Sequence, residues 1–396
     1  MPILLIICLL FFMPADAVSR VIVGMEHWEG DVRISELVRV EKGGRLTIAP
    51  GTQVVAEAGI EIAGELQATD VSFSGLDWPG LILKGASAQT WLKNCQIKGA
   101  LTGITVIGGE PQLSGLLLEN NRVGVELRQK SHALVEKSIF RNNSRVGLFI
   151  KDEVTSVVIG NRFERQGKFG AYIYRALPQA FTENLFLDNP TGLMISHFGS
   201  DPLVKNNQFR NNDVAIKVDR TARPKIVANQ IENNQTGIEL YRRSDPRIEL
   251  NLLKGNARAI HISFSSYPRI QHNDFLANKR ALVLEFQSSK WEEQKGAGAR
   301  EQQISSQGAF GGQTQNQVTE EQRGAQGLDG TVDARENWWG VQETAELGKL
   351  DWQANLSWID DGQDQPVFEE AGKIYPLDLV RWTPYSHQPH TFEVSK

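Results

Sequence analysis

Eight residues in the middle of the chain have side chains suited to binding a sugar: Phe149, Lys151, Tyr172, Tyr174, Arg175, Met194, Tyr241 and His261. A tyrosine ring can stack on the face of a sugar, and a cation beside it can pair with a charged substituent. Apolar and aromatic groups exposed together are unusual on a soluble protein and often mark a binding surface. The sequence therefore predicts a binding patch here. The alternative left open is that residues 287–331 or a C-terminal cap cover it.

Residues suited to acid–base catalysis are not clustered. Hydrolysis of a glycosidic bond commonly uses two carboxyl groups, and the only adjacent pair of aspartates, Asp360 and Asp361, lies near the C-terminus. Five arginines fall near predicted turns with no acidic cluster on the neighbouring repeats: Arg220, Arg223, Arg242, Arg243 and Arg247. Arginines at such turns are usually solvated. We therefore predict no catalytic residue.

Residues that bind metals are also scattered. Copper favours histidine and methionine ligands, and beyond the first 17 residues the chain has only two methionines, Met25 and Met194. Three histidines are spread over the repeats, and the last two could approach each other across a coil: His197, His261 and His272. Three aspartates offer oxygen ligands for calcium, although a solvated acidic turn explains them more simply: Asp360, Asp361 and Asp364. The sequence predicts no metal site and no cofactor.

A repeat of about 22 residues determines where all these side chains lie. Each unit has the pattern Asn-x-Phe-x-x-Asn, with Ile or Leu replacing Phe in some units and Gln166 replacing the second Asn in the first. The units start at Asn161, Asn184, Asn207, Asn229, Asn251 and Asn273. A small residue then opens an alternating run, as in Gly237-Ile-Glu-Leu240. A period of two predicts strands, and a fixed long period predicts a solenoid whose units cannot bury their apolar faces alone.

The predicted fold class is all-β: a single-stranded right-handed parallel β-helix of about eleven coils from Gly59 to Leu284, with N- and C-terminal caps. The coils should stack at about 4.8 Å. Ile216, Ile238 and Ile260 should form one inward column, while the eight candidate binding residues fall in the outward set or directly beside it. The asparagines should satisfy backbone groups at the turns. A column of phenylalanines should fill the core: Phe140, Phe163, Phe186, Phe209 and Phe275.

Composition and the N-terminus indicate export. An apolar run from Ile3 to Met13 precedes Ala15-Asp16-Ala17, which predicts a signal peptide of residues 1–17 and a periplasmic, outer-surface or extracellular location. Its removal leaves Cys95 as the only cysteine, so no internal disulfide is possible. The chain has 42 basic and 47 acidic residues, one of which is Asp16, and a mature charge near −4 argues against nucleic-acid binding. No later stretch is apolar enough to span a membrane.

The chain is expected to divide into five parts. These are a signal peptide at 1–17, an N-terminal cap at 18–43, the β-helix at 44–286, a Gln/Gly-rich excursion at 287–331, and a last coil with a C-terminal cap at 332–396. The excursion has few aliphatic residues and cannot fold alone. A short helix is expected from Glu343 to Leu350 in the cap.

The unit from Asn229 to Leu240 resembles the repeat of pectate-lyase-like, right-handed β-helix proteins, and in particular secreted bacterial members of that superfamily. The chain is also similar to periplasmic copper-binding β-helix proteins of nitrous oxide reductase maturation. Further matching segments are Leu46-Thr-Ile-Ala-Pro-Gly-Thr-Gln-Val54, Asn337-Trp-Trp-Gly340, Ile359-Asp360-Asp361 and Val380-x-Trp382-x-Pro384. The resemblance implies the fold. It leaves activity open, because the superfamily includes lyases, hydrolases, sugar-binding domains and inert rods.

Departures from the family's enzymes bear on the expected function. The chain lacks the Gly-His-Gly of polygalacturonase-like hydrolases and the acidic calcium ligands of pectate lyases. We therefore expect a non-catalytic scaffold or binding module for an envelope polysaccharide or a cell-surface protein. A polysaccharide lyase or glycoside hydrolase is the alternative, and periplasmic copper handling is a second one. The sequence does not indicate an oligomeric state.

Overall fold

The computed structural model describes residues 19–296, 328–351 and 354–390. Three sheets of parallel strands run along a solenoid, and the chain visits each sheet once per coil. The predicted signal peptide and residues 297–327 of the predicted excursion lie outside the described residues.

Within each sheet, every strand pairs with the strand of the next coil. Sheet 1 has fourteen strands: Ser19–Ile22, Leu37–Val40, Ile60–Ile62, Leu81–Lys84, Thr102–Ile107, Val123–Arg128, Val146–Lys151, Phe169–Tyr174, Thr191–Ser196, Val214–Asp219, Thr236–Tyr241, Arg258–Ser263, Arg280–Glu285 and Ile359–Asp360. Sheet 2 has fourteen: Met25–Trp28, Arg45–Ile48, Glu65–Thr69, Trp91–Lys93, Gln112–Ser114, Leu134–Glu136, Val157–Ile159, Ala180–Thr182, Leu203–Lys205, Lys225–Val227, Arg247–Glu249, Arg269–Gln271, Thr331–Asp333 and Leu379–Arg381. Sheet 3 has twelve: Asp31–Ile34, Gln53–Ala56, Ser72–Trp78, Gln96–Ala100, Leu117–Glu119, Ile139–Arg141, Arg162–Glu164, Leu185–Leu187, Gln208–Arg210, Gln230–Glu232, Leu252–Lys254 and Asp274–Leu276.

Alternate residues of each strand point into and out of the solenoid, as the alternating sequence pattern predicted. Ile216 pairs with Ile238 and Ile238 with Ile260, and all three are fully buried. Eleven strands of sheet 1 lie between Ile60 and Glu285, as the repeat count predicted. The predicted phenylalanine column is stacked in the core, with centroid distances of 4.7 Å at each step from Phe140 through Phe163 and Phe186 to Phe209. The all-β parallel solenoid is therefore confirmed.

A buried column of asparagine side chains joins successive coils. The Nδ2 of Asn207 donates to Asn229 Oδ1 at 3.1 Å, and the backbone nitrogen of Asn207 donates to the same oxygen at 2.9 Å. The same amide also donates to the backbone oxygens of Phe181 and Lys205. The column consists of Asn161, Asn184, Asn207, Asn229, Asn251, Asn273 and Asn337. Each asparagine thus satisfies backbone groups at its own turn and fixes the next coil, which confirms the predicted structural role.

A second column of amides runs in parallel with the first. It consists of Asn121, Asn143, Gln166, Asn189, Asn212, Asn234, Asn256 and Asn278. Gln166 occupies the place of an asparagine, because its Oε1 accepts from both the backbone and the side chain of Asn143. Together the two columns set the register of the coils along most of the solenoid.

The N-terminal segment predicted as a cap is the first part of the solenoid itself. Ser19–Ile22, Met25–Trp28 and Asp31–Ile34 each pair in parallel with a strand of the following coil. The inward side chains of this first coil, Ile22 and Trp28 among them, are buried like those of later coils. The predicted boundary at residue 44 is therefore not a structural boundary, because the alternating pattern already begins at residue 19.

The C-terminal part adds three more strands to sheets 1 and 2 and covers the last full coil. Trp339 stacks on Phe275 with a centroid distance of 4.8 Å, and Asn337 extends the asparagine column. The cap contains an antiparallel hairpin of Val367–Glu370 and Lys373–Pro376 and a helix at Val341–Leu347. The helix ends three residues before the predicted end, because Lys349 and Leu350 bond to carbonyls only three residues back.

The first ten residues of the predicted excursion belong to the fold. Ser289–Trp291 is a short α-helix and Glu292–Gly296 a π-helical turn. Glu292 is fully buried and accepts from Arg243 Nε at 3.1 Å. The expectation that the excursion starts at residue 287 is wrong for this stretch, because Glu292 accepts from Arg243 and the backbone nitrogen of Ser289 donates to Asp378, both distant in the sequence.

Replacing Asn207 by alanine should lower the free energy of unfolding by about 3 kcal/mol, because it removes the buried hydrogen bonds of its side chain with Asn184, Asn229 and Phe181. Lys205→Ala, an exposed change two residues away, is the control and should cost less than about 0.5 kcal/mol. Urea denaturation followed by circular dichroism measures both. Equal unfolding midpoints for the two variants would contradict the role assigned to the column.

Cys95 should resist thiol reagents in the folded protein. Its side chain is 1% exposed, and burial raises the pKa of the thiol to about 11, so it is protonated at neutral pH. For the chain without residues 1–17, which contain Cys8, we expect no labelling by a maleimide in native buffer and one equivalent after denaturation in urea. Rapid labelling of the native protein would show that the core opens at this coil.

Candidate functional site

The outward face of sheet 1 arranges the candidate residues in two columns. The first column, with one residue from each successive strand, is Glu126, Phe149, Tyr172, Met194, Lys217, Glu239, His261 and Val283. The second is Lys151, Tyr174, Ser196, Asp219 and Tyr241. These columns follow from unbroken parallel register, because residues two apart in a strand point to the same face.

A cleft of about 460 Å³ lies along part of this face. Phe149, Tyr172 and Met194 line it, together with Phe169, which begins the strand that contains Tyr172. The rings of Phe149 and Tyr172 are stacked with centroids 5.1 Å apart, and Phe169 is tilted against Tyr172 at 5.2 Å. The cleft therefore contains a continuous aromatic strip.

Three predicted residues border the cleft without lining it. Lys151 Nζ lies 3.0 Å from Glu126 Oε1 and 5.3 Å from the centroid of Phe149. Tyr174 packs its ring edge against Tyr172 at 6.0 Å, and the Arg175 guanidinium lies over Tyr174 at 5.2 Å. These side chains support the aromatic strip and add positive charge beside it.

Two predicted residues lie farther along the solenoid, and one is less exposed than expected. Tyr241 packs against Phe264 and lies under the guanidinium of Arg242. His261 is 9% exposed, and its Nε2 lies 2.9 Å from Glu285 Oε2. Neither lines the cleft. Met194 lines it but is only 8% exposed.

A column of cations along one side of the cleft was missed in the sequence. Arg122, Arg145 and Lys168 line the cleft from consecutive coils and are exposed. They occupy the same place in each coil, since the backbone nitrogen of Arg145 bonds to Arg122 O and that of Phe169 to Arg145 O. None of the three forms an ion pair with any residue that the structure describes. The sequence does contain a signal for this column: each of the three basic residues lies two positions before the small residue that opens a strand, which is Gly124, Gly147 or Gly170.

A chain of polar side chains on the other side of the cleft was also missed. Tyr172 Oη lies 2.9 Å from Ser196 Oγ, which lies 2.8 Å from His197 Nδ1. His197 Nε2 in turn lies 3.0 Å from Arg220 Nη1. Ser196 and His197 are 1% and 8% exposed. The distance in sequence between Tyr172 and Arg220 hides this contact.

His197 and Arg220 belong to a third column, at the corner that follows each strand of sheet 1. The corner residues Arg175, His197, Arg220 and Arg242 all have positive φ, between 48° and 76°. This backbone conformation turns the side chain sideways at the edge of the outward face. His197 and Arg220 each directly follow the last outward residue of their strand, so this fixed position in the repeat would have identified them.

Burial and the charges around His197 keep its ring neutral. Burial is the main cause that lowers the pKa of His197 to about 4, and the guanidinium groups of Arg220 and Arg175 contribute against the opposing effect of Asp219. Asp219 is 4% exposed and is held by two hydrogen bonds from the guanidinium of Arg242, one of them from Nε at 2.7 Å. Burial also raises the pKa of the Tyr172 hydroxyl.

The expectation that the corner arginines lack acidic partners is wrong for four of them. Arg220 Nε lies 3.9 Å from the adjacent Asp219. The other three pair with acids that are distant in the sequence. Arg242 pairs with Asp219, and Arg243 with the buried Glu292. Arg223 and Asp245, 3.1 Å apart, are both buried. The acids come from a neighbouring coil or from beyond the repeats, so sequence proximity does not show them.

The candidate metal ligands are not brought together. His261 lies in sheet 1, whereas His272 follows a strand of sheet 2 and lies 3.1 Å from Glu336. Asp360 pairs with Arg280, and Asp361 accepts from two backbone nitrogens of the cap. Among the described residues, no three histidine, cysteine or acidic side chains are grouped so as to hold a metal ion. The similarity to copper-binding proteins is therefore not supported.

No helix within the described ranges is long and apolar enough to cross a membrane.

Comparison with solved structures finds similar solenoids at low identity. The catalytic domain of a GH87 alpha-1,3-glucanase, in complex with tetrasaccharides, has a TM-score of 0.46 and 11% identity over 66% of this chain and 60% of that one. A double mutant of the periplasmic alginate epimerase AlgG has a TM-score of 0.32 and 14% identity over 67% and 76%. The A-module of the mannuronan C-5 epimerase AlgE6 of Azotobacter vinelandii has a TM-score of 0.29 and 12% identity over 67% and 90%. This chain thus spans about 60% of the glucanase domain.

No curated protein sequence matches the chain. The family model described as "Right handed beta helix region" matches residues 58–209 and 193–293, which is more than half of the chain. These matches cover the coils that carry the asparagine columns and the cleft. The protein belongs to the right-handed β-helix family.

Proposed function

We propose that this protein is a non-catalytic binding module for an acidic polysaccharide, which lies along the cleft of sheet 1. The observation that carries the proposal is the aromatic strip of Phe149 and Tyr172 beside the unpaired cations Arg122, Arg145 and Lys168. Aromatic rings offer stacking faces to sugar rings, and guanidinium groups pair with carboxylates or sulfates. The predicted export of the chain agrees with an envelope or extracellular polymer as ligand.

The geometry suits a polymer better than a single sugar. Successive coils present one cation each at a rise of about 4.8 Å, so a linear chain of charged units can meet several cations at once. The two acids that line the cleft are already paired, Glu126 with Lys151 and Asp219 with Arg242. The cations are therefore not neutralised within the described protein, and the cleft attracts negative charge.

Hydrolysis is disfavoured by the placement of the carboxylates. Glu126 and Asp219, the acids lining the cleft, are four coils apart, which is roughly 19 Å along the axis. Glycoside hydrolases need their two carboxyl groups about 5 to 10 Å apart. The described part of the cleft therefore cannot place two acids on one glycosidic bond.

A polysaccharide lyase is the second candidate, favoured by one observation. Tyr172 lies in the cleft within the hydrogen-bonded chain to His197, where a proton-transferring group would be needed. The raised pKa of Tyr172 opposes this role, since the hydroxyl keeps its proton at neutral pH and is a poor base. Absorbance of unsaturated products during incubation with alginate or polygalacturonate tests for lyase activity, and we expect none.

Tyr172→Ala should weaken binding of the preferred acidic polysaccharide at least tenfold, because it removes a stacking face at the centre of the strip. Binding to a glycan array identifies the polysaccharide, and isothermal titration then measures its affinity. Trp91→Ala is the matched control: Trp91 also lies beside a lysine, Lys93, but on sheet 2. Unchanged binding by the Tyr172 variant would remove the cleft from consideration and favour a surface protein as partner.

Arg145→Glu should weaken the same interaction and reduce its dependence on salt, because one cation in the middle of the column is reversed. Lys225→Glu makes the same change in charge on an exposed residue of sheet 2 and should leave affinity nearly unchanged. Titrations at several NaCl concentrations distinguish the two. If both variants lost the same affinity, attraction would depend on total charge and not on the cleft.

A further inference from the structure

The chain from Arg220 to Tyr172 has a fixed direction of hydrogen bonding. An arginine side chain only donates, so His197 Nε2 must accept from Arg220 Nη1. The neutral ring then carries its hydrogen on Nδ1 and donates to Ser196 Oγ. Arg220 thereby selects one tautomer of His197.

The same reasoning continues to the cleft. Within the described residues, Ser196 Oγ has only two partners, His197 Nδ1 and Tyr172 Oη. Since Ser196 accepts from His197, its own hydroxyl hydrogen is directed to Tyr172 Oη. Tyr172 Oη is therefore the acceptor in this contact, and the tyrosine's own hydrogen is left over. Tyr172 is only partly buried and lines the cleft, which is where that hydrogen can find an acceptor.

We infer that Arg220, His197 and Ser196 form a positioning relay that turns the Tyr172 hydroxyl into an obligate hydrogen-bond donor to the ligand. The relay rests on the proposed function and adds to it the chemistry required at one point: the group next to Tyr172 is an acceptor oxygen, such as a carboxylate. A ligand that presents only a donor there binds more weakly, because the hydrogen of the Tyr172 hydroxyl is then left without an acceptor. Tyr172 thus contributes selectivity as well as a stacking face.

The relay is sensitive to acid. The groups facing His197 are Arg175, Asp219, Arg220 and Arg242, and the ring of Tyr174 packs edge-on against it at 4.5 Å. Protonation would place a second N–H against Arg220, which donates already, so the contact at Nε2 is lost. The pKa of His197 is lowered to about 4, so the relay is intact at neutral pH and fails as pH falls below about 4.

A double-mutant cycle tests the inference with the acidic polysaccharide identified on the array. Tyr172→Phe keeps the ring and removes the hydroxyl, and should weaken binding about tenfold, as for a hydrogen bond to a charged group. Ser196→Ala should weaken binding several-fold in the wild type and have no further effect in the Tyr172→Phe background. Additive losses would overturn the relay, as would wild-type affinity of Tyr172→Phe.

Variants of His197 distinguish a role in orienting the Tyr172 hydroxyl from a role in stabilising the fold. His197→Asn retains an N–H near Nδ1 and should keep most of the affinity, whereas His197→Phe should match Ser196→Ala. The ratio of wild-type to His197→Asn affinity should fall between pH 5 and pH 3.5, because only the wild type titrates there while the ligand titrates equally for both. A ratio independent of pH would contradict the role of His197.

A measurement without ligand keeps this inference distinct from the proposed function. Nitrogen-15 NMR of histidine-labelled protein should show His197 neutral with hydrogen on Nδ1 at pH 7 and titrating near pH 4. Hydrogen on Nε2 would overturn the relay even if polysaccharide binds. Loss of binding in Tyr172→Ala but not in Tyr172→Phe would keep the proposed site and reject the donor role. If no acidic polysaccharide binds the wild type, the proposed function fails, and the donor role toward a ligand fails with it.

Discussion

The buried amide columns are the interaction on which the rest of the structure depends. Each coil must return to the same place because an asparagine at its turn needs both the backbone of its own coil and the side chain of the next. An unpaired amide in the core would destabilise the folded state by more than a single apolar contact stabilises it. Coil length is therefore held near 22 residues, and the outward columns follow as a geometric consequence.

The proposed binding surface uses this regularity in two ways. Residues one coil apart become neighbours at strand spacing, so Phe149 and Tyr172 stack although 23 residues separate them. The corners between sheets supply side chains that point along the edge of the face, as His197 and Arg220 do. A column of rings and a bordering column of cations line the cleft, and under the proposed function this fixed arrangement limits the entropy lost on binding an extended ligand.

The ends of the solenoid show how the repeat is stopped. The first coil begins with strands like any other, and the last is covered by a segment that returns after residues 297–327, which lie outside the described ranges. Trp339 continues the aromatic stack on Phe275, while Asn337 accepts the final hydrogen bonds of the asparagine column. Extending both the apolar and the polar column by one residue covers the open end of the core.

The sequence by itself determined the period, the strands, the inward and outward sets, and hence the columns containing Phe149, Tyr172 and Met194. These are local properties, because alternation and a fixed repeat impose a register whatever lies around them. The tertiary structure decided which outward residues share a cleft, that Tyr241 and His261 lie apart from it, and that His197 and Asp219 are buried. It also paired Arg243 with Glu292, 49 positions away. Such contacts depend on how side chains pack at the corners and on segments that fold back, and the period of the sequence specifies neither.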